Sequence, residues 1–156
     1  MKQSIYDYIQ SRADEFIGIS DKIWEYAELS LNEYKSVACY LDFLKKEGFT
    51  VREKAANVPT AFVATYGEGR PRIGILAEYD ALSSLSQKPG VAHKVPLVPG
   101  GHGHGCGHNL LGAGSLAAAV AVKKLIEDGK LHGTVVFYGC PGEEGCAGKT
   151  FMARDG

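Results

Sequence analysis

Apolar side chains recur at steps of three and four along the first part of the chain: Ile5, Tyr8, Ile9, Phe16, Ile19, Ile23, Trp24 and Ala27. That period lines one face of a helix, so residues 3–28 are predicted as one amphipathic helix. A second helix over 33–47 follows from Tyr34, Val37, Ala38, Leu41 and Leu44, with Asn32 as its N-cap and Gly48 just past its end. Then the pattern changes. A short strand fits 49–54, and "TAFVATY" (60–66) and "RIGILAEY" (72–79) read as two more. The "GEGRP" between them is turn chemistry, which predicts a hairpin. Residues 83–105 carry Ser, Pro and Gly without a period, the mark of a long loop. "NLLGAGSLAAAVAVKKLIED" (109–128) opens at Asn109, stops before Gly129 and is the clearest helix. Small residues such as Gly112, Ala113, Gly114 and Ala117 fill its first half, so it can lie close against a sheet. "GTVVFYG" (133–139) predicts a buried strand, "CPGEEG" a turn, and Cys146 the start of a further helix.

This order of helices and strands predicts an α/β fold, a mixed sheet covered by helices. Sites in such folds gather at the carboxyl ends of strands. Three polar clusters fall in suitable places: "AEYD" (77–80), "GHGHGCGH" (101–108) and "GEE" (142–144).

Composition narrows the classes. The 156 residues suit a single domain, and 45% hydrophobic with 22% charged residues can build a core. Seventeen basic and eighteen acidic residues leave a formal charge of −1 without a basic stripe, which argues against nucleic acid and anionic membranes as partners. No uninterrupted apolar run approaches the roughly 18 residues of a membrane span. "MKQSIYDYIQSRADEF" lacks a signal-peptide core, so the cytosol is the expected compartment. Four cysteines are too few for a disulfide framework at this size, and Cys beside His then points to metal or catalysis.

Cys106 and His108 are two apart, and residues two apart on an extended segment face the same way. Thiolate and imidazole are strong ligands for zinc and similar divalent ions. His104 is spaced to join them or to orient a ligand, and His102 reads as a loop residue. Glu143 and Glu144 diverge, so one can bind metal while the other moves a proton between water and a leaving amine; a solvated acidic turn is the competing reading. Asp80, past a strand end, either holds a liganding His or water, or caps the next turn. Cys39 reads as core, and Cys140 and Cys146 as spectators. A closed zinc site of Cys106, His108, Cys140 and Cys146 is the alternative, although the paired C-x-x-C knuckles are missing.

In this order and spacing, "ILAEYDAL", "GHGHGCGHNLLGAG" and "PGEEGCAGKTFM" resemble the M20 family of metallopeptidases and amidohydrolases. The branch with N-acyl-amino-acid amidohydrolases and one of the two subunits of aminobenzoyl-glutamate hydrolase also matches "WEYAELSLNEYKSVACYLDFLKKEGF". The resemblance implies a three-layer α/β/α sandwich of the zinc-exopeptidase type, of which residues 1–156 are the N-terminal part of the catalytic domain. It implies two divalent ions (zinc, manganese or cobalt), with Cys106 bridging them, His108 on one and Glu144 on the other. Glu143 would be general base and acid, and Asp80 an acidic residue behind the metals. The substrate would be a small-molecule amide: an N-acyl amino acid, aminobenzoyl-glutamate or a dipeptide-like compound. Family chains run on to two further histidine ligands and to an inserted lid that often pairs homodimers. The chain by itself is therefore expected to be catalytically silent.

Overall fold

The computed structural model describes residues 2–155. The N-terminal amphipathic stretch forms two helices, α1 (Lys2–Ser11) and α2 (Ala13–Tyr26), where one was expected. The break falls at Arg12, whose guanidinium reaches Tyr8 Oη, Glu15 and, at 2.6 Å, Glu47 on the next helix. Helix α3 (Tyr34–Lys46) keeps the predicted place, but Asn32 does not cap it. The Glu28 carboxylate does so instead, accepting from Lys35 N (3.0 Å), Ser36 N (2.9 Å) and Ser36 Oγ (2.9 Å). Gly48 stops the helix at φ 80°, with Phe49 N–H donating back to Leu44 O.

Strands β1 (Thr50–Glu53), β2 (Phe62–Glu68), β3 (Arg72–Ala77) and β4 (Gly133–Gly139) form one sheet in the order β1-β2-β4-β3. The expected hairpin of β2 with β3 is absent. Strand β4 lies between them, antiparallel to β2 and parallel to β3. Every residue of β4 except Tyr138 is buried, as a central strand requires. The "GEGRP" turn straddles the start of β4: Thr134 donates through Oγ1 to Gly69 O and through N–H to Pro71 O, both at 2.9 Å.

Helix α4 (His108–Glu127) joins β3 to β4 and packs on the sheet with α2 and α3. By length and composition it could cross a membrane, contrary to the expectation that no segment would. It is the core helix: Leu116, Ala119 and Val120 are fully buried. Gly112 permits the close approach, since a Cβ there would overlap the Tyr40 hydroxyl and come within 2.6 Å of Glu78 O. Tyr40, Phe62, Tyr79 and Phe137 form an aromatic cluster between helices and sheet, with centroids 5.6–6.2 Å apart. On the opposite face of the sheet, the one-turn helix α5 (Glu143–Cys146) leads into α6 (Gly148–Asp155), which leans on the turn Ala55–Asn57. Together with Val63, Leu76 and Tyr138 it bounds a cleft of about 340 Å³.

Candidate metal centre

Parallel strands β3 and β4 end side by side, with Ala77 paired to Gly139. The segment after β3 carries Glu78 and Asp80, and the turn after β4 carries Glu143 and Glu144. Between them, His108 is the first residue of α4, set up by Gly107 at φ 75°. Buried Tyr79, whose hydroxyl donates to Thr60 O at 2.6 Å, anchors the first of these segments in the aromatic cluster.

The centre is organised around the imidazole of His108, which is 5% exposed. Nδ1 lies 3.0 Å from Asp80 Oδ1 and 3.1 Å from Asp80 O. Both are acceptors, so Nδ1 carries the proton and Nε2 the lone pair. Nε2 faces Glu78 Oε2 at 3.0 Å, Glu143 Oε2 at 3.8 Å and Glu144 Oε1 at 3.9 Å. Two atoms bound to one zinc at about 2.0–2.2 Å can be at most about 4.4 Å apart. Each carboxylate can therefore share an ion with Nε2. Donor atoms of Glu78, His108 and Glu143 also lie within 4.8 Å of one another.

The charges favour a cation. Glu78, Asp80, Glu143 and Glu144 converge on one imidazole, and Lys149 pairs with Glu78. Glu144 Oε1 is buried with no hydrogen-bond partner among the described residues, a costly state that a metal ion would relieve. Cys106 is exposed at the rim, and its thiol is pushed up, first by its hydrogen bond to Glu144 and then by desolvation and the surrounding carboxylates. A dication would reverse that bias and favour thiolate. Nitrogen, sulfur and carboxylate oxygen together fit zinc or manganese.

The structure thus brings Cys106, His108, Glu143, Glu144 and Asp80 to one place. His102 is exposed on the loop, and His104 lies apart, with Nε2 at 3.0 Å from Ile23 O. Cys140 is buried, its Sγ donating to Tyr138 O, and among the described residues neither it nor Cys146 joins a metal-type cluster, so the closed zinc alternative gains no support. Sequence reasoning missed Glu78. The same two-residue spacing used for Cys106 and His108 holds for Glu78 and Asp80, which bracket the ring from its two nitrogens. It also missed Ser30, whose hydroxyl donates to Asp80 Oδ2 at 2.8 Å; nothing in "ELSLNE" marks it as a partner 50 residues away.

An α/β sheet with ligand-type residues at its parallel strand ends is the architecture of metal-dependent hydrolases of the exopeptidase type. The profile of peptidase family M20/M25/M40 matches residues 74–156, and the chain belongs to that hydrolase family. It is 48% identical to one of the subunits of p-aminobenzoyl-glutamate hydrolase from Escherichia coli, over 99% of this chain and 33% of that protein. Among solved structures, a dinuclear metal-binding M20 peptidase from Bacillus subtilis superposes with TM-score 0.75 at 26% identity, over 94% of this chain and 40% of that one. A putative aminohydrolase from Staphylococcus aureus has the same fold, with TM-score 0.81 at 24% identity, over 100% and 39%. The chain spans about a third of the length of the curated relatives it matches.

Proposed function

We propose that this chain supplies half of the dinuclear centre of a metal-dependent amidohydrolase that cleaves N-acyl amino acids, with aminobenzoyl-glutamate as the favoured substrate class. The observation that carries the reading is His108. Asp80 fixes its tautomer, and its free Nε2 looks at Glu78, Glu143 and Glu144. The identity to the Escherichia coli hydrolase supports the substrate class, and that relative's being named as one subunit of its enzyme supports a partner subunit. Cys106 is assigned to both ions, His108 to one and Glu144 to the other. Ions bound here would lower the pKa of water from about 15.7 towards about 7 and polarise an acyl oxygen. The Glu143 side chain is 43% exposed where that of Glu144 is 18%, so Glu143 faces the open side. It takes the proton of the attacking water and returns it to the departing amine.

The test uses the full-length enzyme containing this chain, assayed for aminobenzoyl-glutamate hydrolysis and metal content. Glu143→Gln should abolish turnover and spare the metal, while Cys106→Ala should lose metal. A Glu143→Gln enzyme with normal turnover removes the assigned role.

A further inference from the structure

Helix α5, which carries both glutamates, is a single turn of four residues. So short a helix does not hold itself. The amides at its start are held from outside. Glu33 Oε1 accepts from Gly142 N–H at 2.8 Å, Asp80 Oδ2 from Glu144 N–H at 2.9 Å, and Ser30 Oγ from Gly145 N–H at 3.1 Å. Ser30 and Glu33 come from the same short connection between α2 and α3, which is itself fixed by Ala81 N–H donating to Glu28 O at 2.8 Å. A hydroxyl donates one hydrogen bond and accepts others. Ser30 uses both capacities, donating to Asp80 Oδ2 at 2.8 Å while it receives Gly145 N–H. The other oxygen of that carboxylate, Oδ1, orients His108.

We propose that Ser30 is a positioning residue: it couples the Asp80–His108 pair to the glutamate turn, so that the ligand pocket is assembled before any ion enters. The proposal rests on the metal-centre reading for its purpose but on hydrogen bonds alone for its geometry. It predicts that opening the turn and loosening Asp80 are one event.

The experiment measures amide exchange and the His108 ring nitrogens by NMR on the metal-free chain, followed by titration with Zn²⁺ or Mn²⁺. In the wild-type chain, Gly142, Glu144 and Gly145 should exchange at one common rate. Ser30→Ala should speed exchange at both Gly145 and Glu144 by about 10-fold or more, the loss of a bond to a charged group. It should shift the His108 ring nitrogens and weaken ion binding about 10-fold to 100-fold. Ser30→Thr, which keeps the hydroxyl, should restore the ring shifts. Unrelated exchange rates in the wild type would overturn the proposal, and this arm stands even where Ser30→Ala does not fold. Faster exchange at Gly145 alone, with Glu144 and His108 unmoved, would also overturn it by making Ser30 a local cap. A wild-type chain that shows the coupled exchange but takes up no ion would instead count against the proposed function.

Discussion

Asp80→Asn is the sharpest perturbation of this centre, because it keeps the shape and changes only what the group can accept. Three donors converge on the Asp80 carboxylate: His108 Nδ1–H at 3.0 Å, Ser30 Oγ–H at 2.8 Å and Glu144 N–H at 2.9 Å. An asparagine offers one accepting oxygen. Turned towards Ser30 and Glu144 it satisfies two donors, and its NH₂ then meets His108. The ring responds by moving its proton to Nε2, where the lone pair is needed for an ion. A hydrogen bond to a charged group is worth about 1.5–3 kcal/mol. The residue is only 1% exposed, so little of that is recovered from water. Relief of repulsion among the carboxylates offsets part of it, leaving a loss of about 2 kcal/mol. In a domain of this size that lowers the melting temperature by about 4–8 °C. The Asp80 carbonyl, 3.1 Å from Nδ1, holds part of the original tautomer, so ion affinity should fall by about 10-fold to 100-fold and not vanish. Calorimetric titration with Zn²⁺ measures the affinity, and ¹⁵N shifts of the ring report the tautomer without metal. Wild-type affinity together with an unmoved ring tautomer would refute the reasoning.

Gly112→Ala should destabilise the chain by about 1–3 kcal/mol in denaturant melts, because its methyl would overlap the Tyr40 hydroxyl and press on Glu78 O. Gly114→Ala, two residues on, meets nothing within 4 Å and should stabilise the same helix by about 1 kcal/mol. The Tyr40 hydroxyl is buried with no partner among the described residues, so Tyr40→Phe should raise stability by about 1 kcal/mol in the same assay. Burial raises the Glu33 carboxyl above its usual range, and its Oε2 has no partner among the described residues. The folded state therefore prefers Glu33 protonated: its contribution is fully present below the ordinary value near about 4.3 and is lost as pH rises through the raised folded value. Glu33→Gln keeps an oxygen for Leu31 N–H and Gly142 N–H, so melts at neutral pH should show it at least as stable as wild type, with the advantage shrinking in acid. A constant difference between mildly acidic and neutral pH would contradict this.

Much of the site was legible because its chemistry is local. Cys106 and His108, and Glu143 and Glu144, declare themselves by residue type and spacing within a few positions. Glu78 was legible by the same rule, two residues before Asp80, and only its carboxylate neighbour was taken up. Ser30 and Glu33 were not legible. Serine and glutamate between two helices are ordinary solvated connections, and only the folded chain puts them against Asp80 and Gly142, 50 and 109 residues away. The cap of α3 failed for a related reason. Asn32 is the right residue type in the right place, but Glu28 reaches three donors at once.

The misread hairpin matters most, because the site depends on the pairing that replaced it. Turn-type residues say that a chain reverses; they do not say whether the two arms touch. Here Gly67 and Gly133 lie so close that a Cβ on either would strike backbone, and Thr134 binds both Gly69 and Pro71 across the gap. The apolar run of β4 decides the outcome, since a strand buried on both faces belongs inside a sheet. Once β4 enters, β3 gains a parallel neighbour with Ala77 opposite Gly139. Glu78 and Asp80 then leave the sheet at the same end as Glu143 and Glu144, and the helix between the two strands must begin there too, delivering His108. A β2–β3 hairpin would have left β3 with β2 as its neighbour on that edge, and the end of β3 without the glutamate turn beside it. The five groups meet because one strand is too apolar to stand at an edge.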